Sequence, residues 1–405
     1  MAGLYVHIPF RRASRTYDDA FTTVSGAEAF PEYAAALERE LIYYAQQHAS
    51  DEPIETVYAG GGRPSLFSLA NVRNVLQTVL NVFDGSTIRE ATAEVNPADA
   101  TPSTLSALRS VGFDRLQFDV LSFFPDDLDA IQTPHTAQEA VRAIREARQA
   151  GFESLSVDLL FGWPGQPMKH WQANLEQAVD MNLPHVTLVE WTGDRSDFSG
   201  TPGADGTDAA APAAGGEGGE TAAAATTQRE AEVRTAKQLQ TAMEILTGEG
   251  YEQYELTHFA QTGHASEHQK NYYAHGNYLG VGASAHSFWW RQRMQSIPAR
   301  RWANVRDVPR YQQLLSQQYP PISFRETVDW ATLADEYITL RLRTREGLDL
   351  RRLRAEYGRN LQDEKASLLD TLVENGLAET DDRTYLRLTP RGLLVADGIT
   401  ERLTR

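Results

Sequence analysis

The chain reads as an α/β protein: a parallel sheet with helices outside it, followed by a smaller, mainly helical C-terminal region. Two observations predict this. Over the first 190 residues, apolar runs of about strand length alternate with longer stretches of helical periodicity. After residue 327 the order becomes helix, short strand pair, helix. The first pattern fits a (β/α) barrel, part of one, or a doubly wound sheet, and periodicity alone leaves these open.

Six apolar runs lead the repeating units, at 3–8, 55–59, 92–95, 114–118, 155–161 and 185–190. Helices are predicted between them. One spans 31–47, and one spans 68–82 with Leu69, Val72, Val75, Leu76 and Val79 on a single face. A third opens with Thr101 as N-cap and Pro102 at the first helical position, and two more cover 135–149 and 168–181. From 193 to 227 the composition turns to Gly, Ala, Asp, Thr and Pro with little to bury, which reads as a disordered insertion. A helix resumes near Gln228 and ends at Gly248, before a segment (251–290) dense in His, Tyr and Gly. Beyond 327, a helix leads into 338–342. The tail from Leu361 reads helix, Gly376, two short strands about Asp381 and Asp382, and a helix capped by Thr389 and Pro390, a small winged-helix-like module. The expected domains are 1–192 (barrel), 193–227 (insertion), 228–326 (barrel completion) and 327–405 (C-terminal module).

Composition narrows the function. Of 405 residues, 41% are hydrophobic and 23% charged, which is a globular chain. Lys and Arg number 38 against 55 Asp and Glu, a net charge of −17, so nucleic acid is not an expected partner. The C-terminal module then reads as a dimerisation or lid element. No window approaches the ~20 apolar residues of a membrane span, and the start lacks a secretory pattern. A cytoplasmic location is expected. Cysteine is absent, which removes disulfides, thiolate nucleophiles, Cys-based zinc sites and the usual ligands of iron–sulfur clusters. The oligomeric state is not legible.

Five ordered motifs carry the chemistry. His7-Ile8-Pro9-Phe10 precedes Arg11, Arg15, Tyr17, Asp18 and Asp19. Gly60-Gly61-Gly62-Arg63-Pro64-Ser65, Glu94-Val95-Asn96-Pro97, Asp158-Leu159-Leu160-Phe161-Gly162-Trp163-Pro164-Gly165-Gln166 and Tyr278-Leu279-Gly280-Val281-Gly282-Ala283-Ser284-Ala285-His286 follow. In this order the motifs resemble those of the radical S-adenosylmethionine (SAM) proteins of the oxygen-independent coproporphyrinogen III oxidase group, most closely its heme-chaperone branch. The resemblance covers nearly the whole chain apart from the insertion. It implies six β/α units, hence a partial or complete parallel (β/α) barrel of radical SAM type, and it assigns a SAM site to Tyr5, Tyr17, Gly60, Gly61, Gly62, Glu94 and Asp158. It also implies a [4Fe–4S] cluster held by three cysteines in H-I-P-F-C-x3-C-x2-C-D.

Here those three positions hold Arg11, Arg15 and Asp18. Arginine offers only donors and stays protonated, so it cannot replace a thiolate. Loss of the cluster is therefore expected, with SAM binding lost beside it and no catalytic residue remaining. Other departures agree: Arg63 replaces a threonine of the family pattern, Asp119-Val120-Leu121-Ser122 replaces G-V-Q-S, and Thr133 replaces an arginine while His135 is kept. Arg11, Arg15 and Arg63 are expected to pair with Asp18, Asp19 and Asp119 in the vacated cavity, since buried charges persist when paired. The other reading leaves these charges facing water.

Five of the ten histidines, His258, His264, His268, His275 and His286, crowd into 29 residues among Tyr, Phe and Trp. His268-Gln269-Lys270-Asn271-Tyr272-Tyr273 resembles the H-N-x-x-Y-W motif that the heme-chaperone branch carries. The resemblance makes His268, with Tyr272 and Tyr273, the heme candidate, and His268 the candidate ligand to heme iron; the alternative is an ordinary hydrogen-bonded histidine. His264 and His268, if helical, would lie one turn apart, and His286 reads as a strand-end residue bonded to backbone. The expected protein is a non-catalytic pseudoenzyme that binds heme or a heme-acceptor protein. The alternatives are a regulatory partner of an active relative with no tetrapyrrole binding, and an enzyme that works without a cluster.

Overall fold

The computed structural model describes residues 2–11, 21–24, 26–49, 51–192, 222–291, 298–381 and 384–405. Its body is a twelve-stranded sheet. Six strands, β1 (Ala2–Ile8), β2 (Ile54–Gly61), β3 (Glu90–Val95), β4 (Arg115–Leu121), β5 (Ser154–Phe161) and β6 (His185–Glu190), lie side by side in chain order, each parallel to the next. A doubly wound sheet reverses its strand order, and this one does not, which decides for the barrel type. The barrel is partial. Beyond β6 come two antiparallel strands, β7 (Glu252–Glu255) at the edge and β8 (His258–Ala260) next to β6. Beyond β1 lies β9 (Asn277–Val281), parallel to it, then antiparallel β10 (His286–Trp290), β11 (Ala299–Asn304) and β12 (Ile322–Val328).

Alternation along the strands sets two faces. Leu4, Val6 and Ile8, Val57 and Ala59, Leu116, Phe118 and Val120, and Leu155, Val157 and Leu159 join one core with the helices outside. The intervening residues are polar: Tyr5 and His7, Thr56 and Tyr58, Glu90, Thr92 and Glu94, Arg115, Gln117 and Asp119, Ser156 and Asp158. They bond one another across strands, as described below.

Side-chain caps hold the helices in place, among them the predicted Thr101. Ser68 accepts from the Asn71 amide, Thr101 from Thr104, and Thr136 forms a capping box with Glu139. The helix expected from Gln228 begins at Ala222, because 222–225 is an alanine run of the highest helix propensity; the rest of the predicted insertion, 193–221, lies outside the described residues. The C-terminal region has its own core, in which Leu333, Ile338, Leu353, Leu386 and Leu403 gather with Phe288 of β10 and Ala299 of β11. Among the described residues no helix is long and apolar enough to cross a membrane.

Candidate functional site

At the carboxyl ends of β1 to β5, where barrels carry their chemistry, the glycine segment packs against the loop that follows β1. Gly61 has φ +96°, and a Cβ there would lie 2.2 Å from His7 Nδ1; one on Gly62 would lie 2.3 Å from the Ile8 carbonyl. Only glycine allows this approach. The amides of Gly62 and Arg63 donate to the carbonyls of Ile8 (2.8 Å) and Phe10 (2.9 Å), stitching the two loops together. The Gly61 amide donates to Glu94 Oε2 at 2.7 Å, and Tyr58 Oη donates to Glu94 Oε1 at 2.6 Å. Burial, then the charges of Glu94 and Asp158, raises the Tyr58 pKa well above its ordinary value.

Arg11 is buried, 2% exposed, and its Nη2 donates to the Gly61 carbonyl at 2.7 Å. Arg15, Tyr17, Asp18 and Asp19 lie outside the described residues. Arg63, also buried, donates to Asn96 Oδ1 at 2.5 Å and pairs with Asp99 Oδ2 at 2.9 Å, while Ser65 donates to the same Asp99 oxygen. The bond to Asp119 that the sequence led us to expect runs through an intermediary: Asn96 Nδ2 donates to both Asp119 oxygens, at 3.1 and 3.2 Å. Asn96 can do this because its carbonyl and amine face opposite ways, one toward a cation and one toward an anion.

The two histidines here are neutral. His7 Nε2 donates to the Phe21 carbonyl (2.8 Å), leaving Nδ1 to accept from Tyr5 Oη (2.9 Å); burial outweighs the raising effect of that carbonyl, and the charge of Arg306 adds to it, bringing the pKa down to about 4. His135 Nε2 donates to the Val120 carbonyl (3.0 Å), and burial likewise lowers its pKa. Gln117 donates to both oxygens of Asp158, at 2.8 and 3.1 Å. Leu121 takes φ +64° and packs with Leu128, Ile131, Leu160 and Trp163, so an apolar cluster stands where the resemblance puts a polar glutamine.

Of the residues singled out in the sequence, the structure gathers Tyr5, Gly60, Gly61, Gly62, Glu94, Asp158 and Arg11 at one end of the sheet. Sequence reasoning missed His7, Tyr58, Asp99 and Gln117 as partners. The signal for His7, Tyr58 and Gln117 was present, because each lies two residues from another inward polar position.

His268, Tyr272 and Tyr273 lie at the other end of the strands, on the helix Glu267–Tyr273 beneath their amino termini. Glu90 at the start of β3 accepts from Ser266 Oγ (2.8 Å) and from the amides of Glu267 (2.9 Å) and His268 (3.1 Å), which fixes the helix. His268 is 1% exposed. Its Nδ1 bonds Thr56 Oγ1 at 2.8 Å, its Nε2 bonds Tyr272 Oη at 3.0 Å, and its ring stacks on Tyr58 at 5.3 Å. Burial drives its pKa down to about 3. In this arrangement both ring nitrogens are engaged, so the one lone pair of the candidate heme ligand accepts a hydrogen bond within the fold. The other histidines go to separate partners. His258 pairs with Glu255, and His275 pairs with Glu336 and stacks on Phe288. His264 precedes the helix rather than lying within it, and His286 is exposed at the start of β10 instead of bonding backbone. Among the described residues no group of three His, Asp or Glu side chains is arranged to hold a metal ion.

Comparison with known proteins agrees with this geometry. Residues 20–178 match the Radical SAM superfamily model and residues 329–395 the HemN C-terminal domain. The chain is 27% identical to the heme chaperone HemW of Bacillus subtilis over 98% of both chains. It is 28% identical to that of Mycobacterium tuberculosis over 99% of this chain and 94% of the other. The coproporphyrinogen III oxidase HemN of Escherichia coli superposes with a TM-score of 0.77 at 20% identity, covering 100% of this chain and 90% of that one, which shows a shared fold. The chain belongs to the radical S-adenosylmethionine superfamily, in the group that carries the HemN C-terminal domain.

Proposed function

We propose that this chain is a heme-handling member of its superfamily that has given up the iron–sulfur cluster and the radical chemistry that depends on it. The observation that carries this reading is Arg11. The resemblance assigns a soft, anionic thiolate to this position, and the chain instead buries a guanidinium there with its Nη2 on the Gly61 carbonyl. A guanidinium has no lone pair for a metal. Arg15 and Asp18, at the other two positions, add a second cation and one hard oxygen donor, and no cysteine exists elsewhere. These residues do not fit a [4Fe–4S] cluster, and no step of the family's radical route runs through them.

The SAM segment supports the same reading. The Gly61 amide and carbonyl are taken by Glu94 and Arg11, so a cation of the chain itself stands in the glycine segment that the resemblance gives to the amino group of SAM. The heme part of the proposal rests on relatives that are heme chaperones along almost their whole length. Its partner is then heme itself or a heme-acceptor protein.

Anaerobic purification, reconstitution with ferrous iron and sulfide, and visible spectra with and without hemin test both parts. No iron–sulfur absorption and a Soret band with hemin are expected. Stoichiometric iron and sulfide on the chain would overturn the loss of the cluster. A flat Soret region at micromolar hemin would overturn heme handling.

A further inference from the structure

With His268 sealed beneath the sheet, a heme-handling chain needs another place for the ligand. We propose that heme docks in the cleft between the C-terminal end of the helix Phe30–His48 and one face of β10, β11 and β12, with His48 as its axial ligand and Arg291, Arg300 and Arg325 as the partners of its carboxylates. This rests on the heme-handling reading above and assigns its site.

The cleft follows from strand register. Trp289 lies opposite Arg300, and Trp302 opposite Arg325, in the antiparallel pairs β10–β11 and β11–β12. Arg291 is two residues beyond Trp289, and Trp302 two beyond Arg300, so all five side chains stand on the same face of the sheet. The opposite face, with Phe288, Ala299 and Val328, is covered by the C-terminal region. The cleft on the open face has a volume of about 670 Å³, within the range of small-molecule sites. Trp289 and Trp302, 4% and 5% exposed, are anchored in the main core and form the rigid base of the cleft.

Its chemistry suits a flat dianion around a metal. None of the guanidiniums of Arg291, Arg300 and Arg325 has a hydrogen bond or ion pair among the described residues. Partial desolvation, and after it the charges of Arg291 and Arg325, lower the pKa of Arg300. Three cations left uncompensated in one cleft, in a chain of net charge −17, mark a place for anions. The two carboxylates that also line the cleft have partners already: Asp51 faces His48, and Glu52 accepts from Asn277 Nδ2 at 2.5 Å. His48 packs 4.6 Å from the Trp289 ring and stacks on Trp302 at 5.9 Å and 16°. Its Nδ1 faces Asp51 Oδ2 at 3.4 Å, the carboxylate–imidazole pairing that leaves Nε2 with the lone pair, and Nε2 has no hydrogen-bond partner among the described residues.

The test is a titration of the full chain with hemin, read at the Soret band, and with iron-free protoporphyrin IX, read by quenching of tryptophan fluorescence. His48→Ala is expected to move the Soret maximum and weaken hemin at least about tenfold while leaving protoporphyrin within about twofold. Arg300→Glu with Arg325→Glu, at exposed positions, should weaken both ligands at least about tenfold with an unchanged melting temperature. His268→Gln, which retains polar atoms for Thr56 and Tyr272, should leave the Soret band in place. Hemin binding that ignores His48 and the arginines, or that is lost only in His268→Gln, overturns this site and leaves heme handling standing. A wild-type chain that binds neither ligand sinks the heme-handling reading, and the site with it.

Discussion

The two ends of the parallel strands solve the same problem in different ways. The interior of this barrel alternates polar residues where a closed (β/α) barrel packs branched apolar ones, so partners are needed at both ends. At the amino end they are mostly neutral. Thr56, His268 and Tyr272 form one chain of hydrogen bonds, and Ser156, His185 and Tyr254 form another. At the carboxyl end they are ionic, with Arg63 on Asp99, Arg11 against the Gly61 carbonyl, and Glu94, Asp119 and Asp158 held by amide and hydroxyl donors. Neutral pairs cost less to desolvate, and losing one member leaves the other unsatisfied at about 1–3 kcal/mol. An ion pair in the same burial repays its desolvation only while both members are present. The carboxyl end is thus the brittle one, and it is the end where Arg11 and Arg63 stand in place of residues of the pattern the sequence resembles.

The sharpest way to break this contrast is Arg63→Ala. It leaves the Asp99 carboxylate, 9% exposed, and the Asn96 carbonyl without their buried donor, and it should cost about 3–5 kcal/mol in urea unfolding. Replacing both members, Arg63→Met with Asp99→Leu, should recover most of that loss. A single-variant cost below about 0.5 kcal/mol, the level of a surface substitution, would mean the pair is not sealed.

The amino end has its own signature, in acid. His268 titrates at about 3 in the fold against 6.5 when exposed, so below pH 6.5 the unfolded chain takes a proton that the folded chain refuses. Stability from this group is complete above pH 6.5 and falls as pH drops toward 3. By pH 4.5 the loss reaches about 3 kcal/mol, roughly 1.4 kcal/mol per unit. His7 at the carboxyl end, brought down to about 4, acts in the same direction over the shorter window from 6.5 to 4. Stability measured from pH 7 to 4.5 should show a shallower slope in His268→Gln than in the wild type. An identical slope would mean that His268 is solvated.

The division between the ends was only half legible in the sequence. The six strands and five of their helices stood out because outward Val, Leu and Ile repeat at every second position and Thr101 caps in front of Pro102. The glycine and acidic motifs were readable by their order. Arg63–Asp99 was not, because it joins two loops 36 residues apart, and no local pattern encodes such a pairing. The buried seat of His268 depends on Glu90 reaching a helix 176 or more residues away. Strands β10 to β12 escaped for another reason. His286–Trp290, Ala299–Asn304 and Ile322–Val328 mix charge with aromatics on faces that are both used, one by the C-terminal region and one by the cleft, so apolar alternation is blurred.

Asp119→Ala measures how far the ionic end extends. A fully buried member of the network would cost about 3–5 kcal/mol on removal, and a solvated one under about 0.5 kcal/mol. Asp119 is half-buried and accepts both bonds from the neutral Asn96 amine, whose carbonyl stays on Arg63 when the carboxylate goes. Nearby His135 leans on it less than on its own burial, which already keeps the ring neutral. The expected loss is therefore about 1–2 kcal/mol, the worth of a hydrogen bond to a charged acceptor that water can partly replace. Combining Asp119→Ala with Arg63→Ala distinguishes one network from two sites. Through a shared Asn96 the second substitution should cost less than it does alone, whereas strictly additive losses would place Asp119 outside the buried pair.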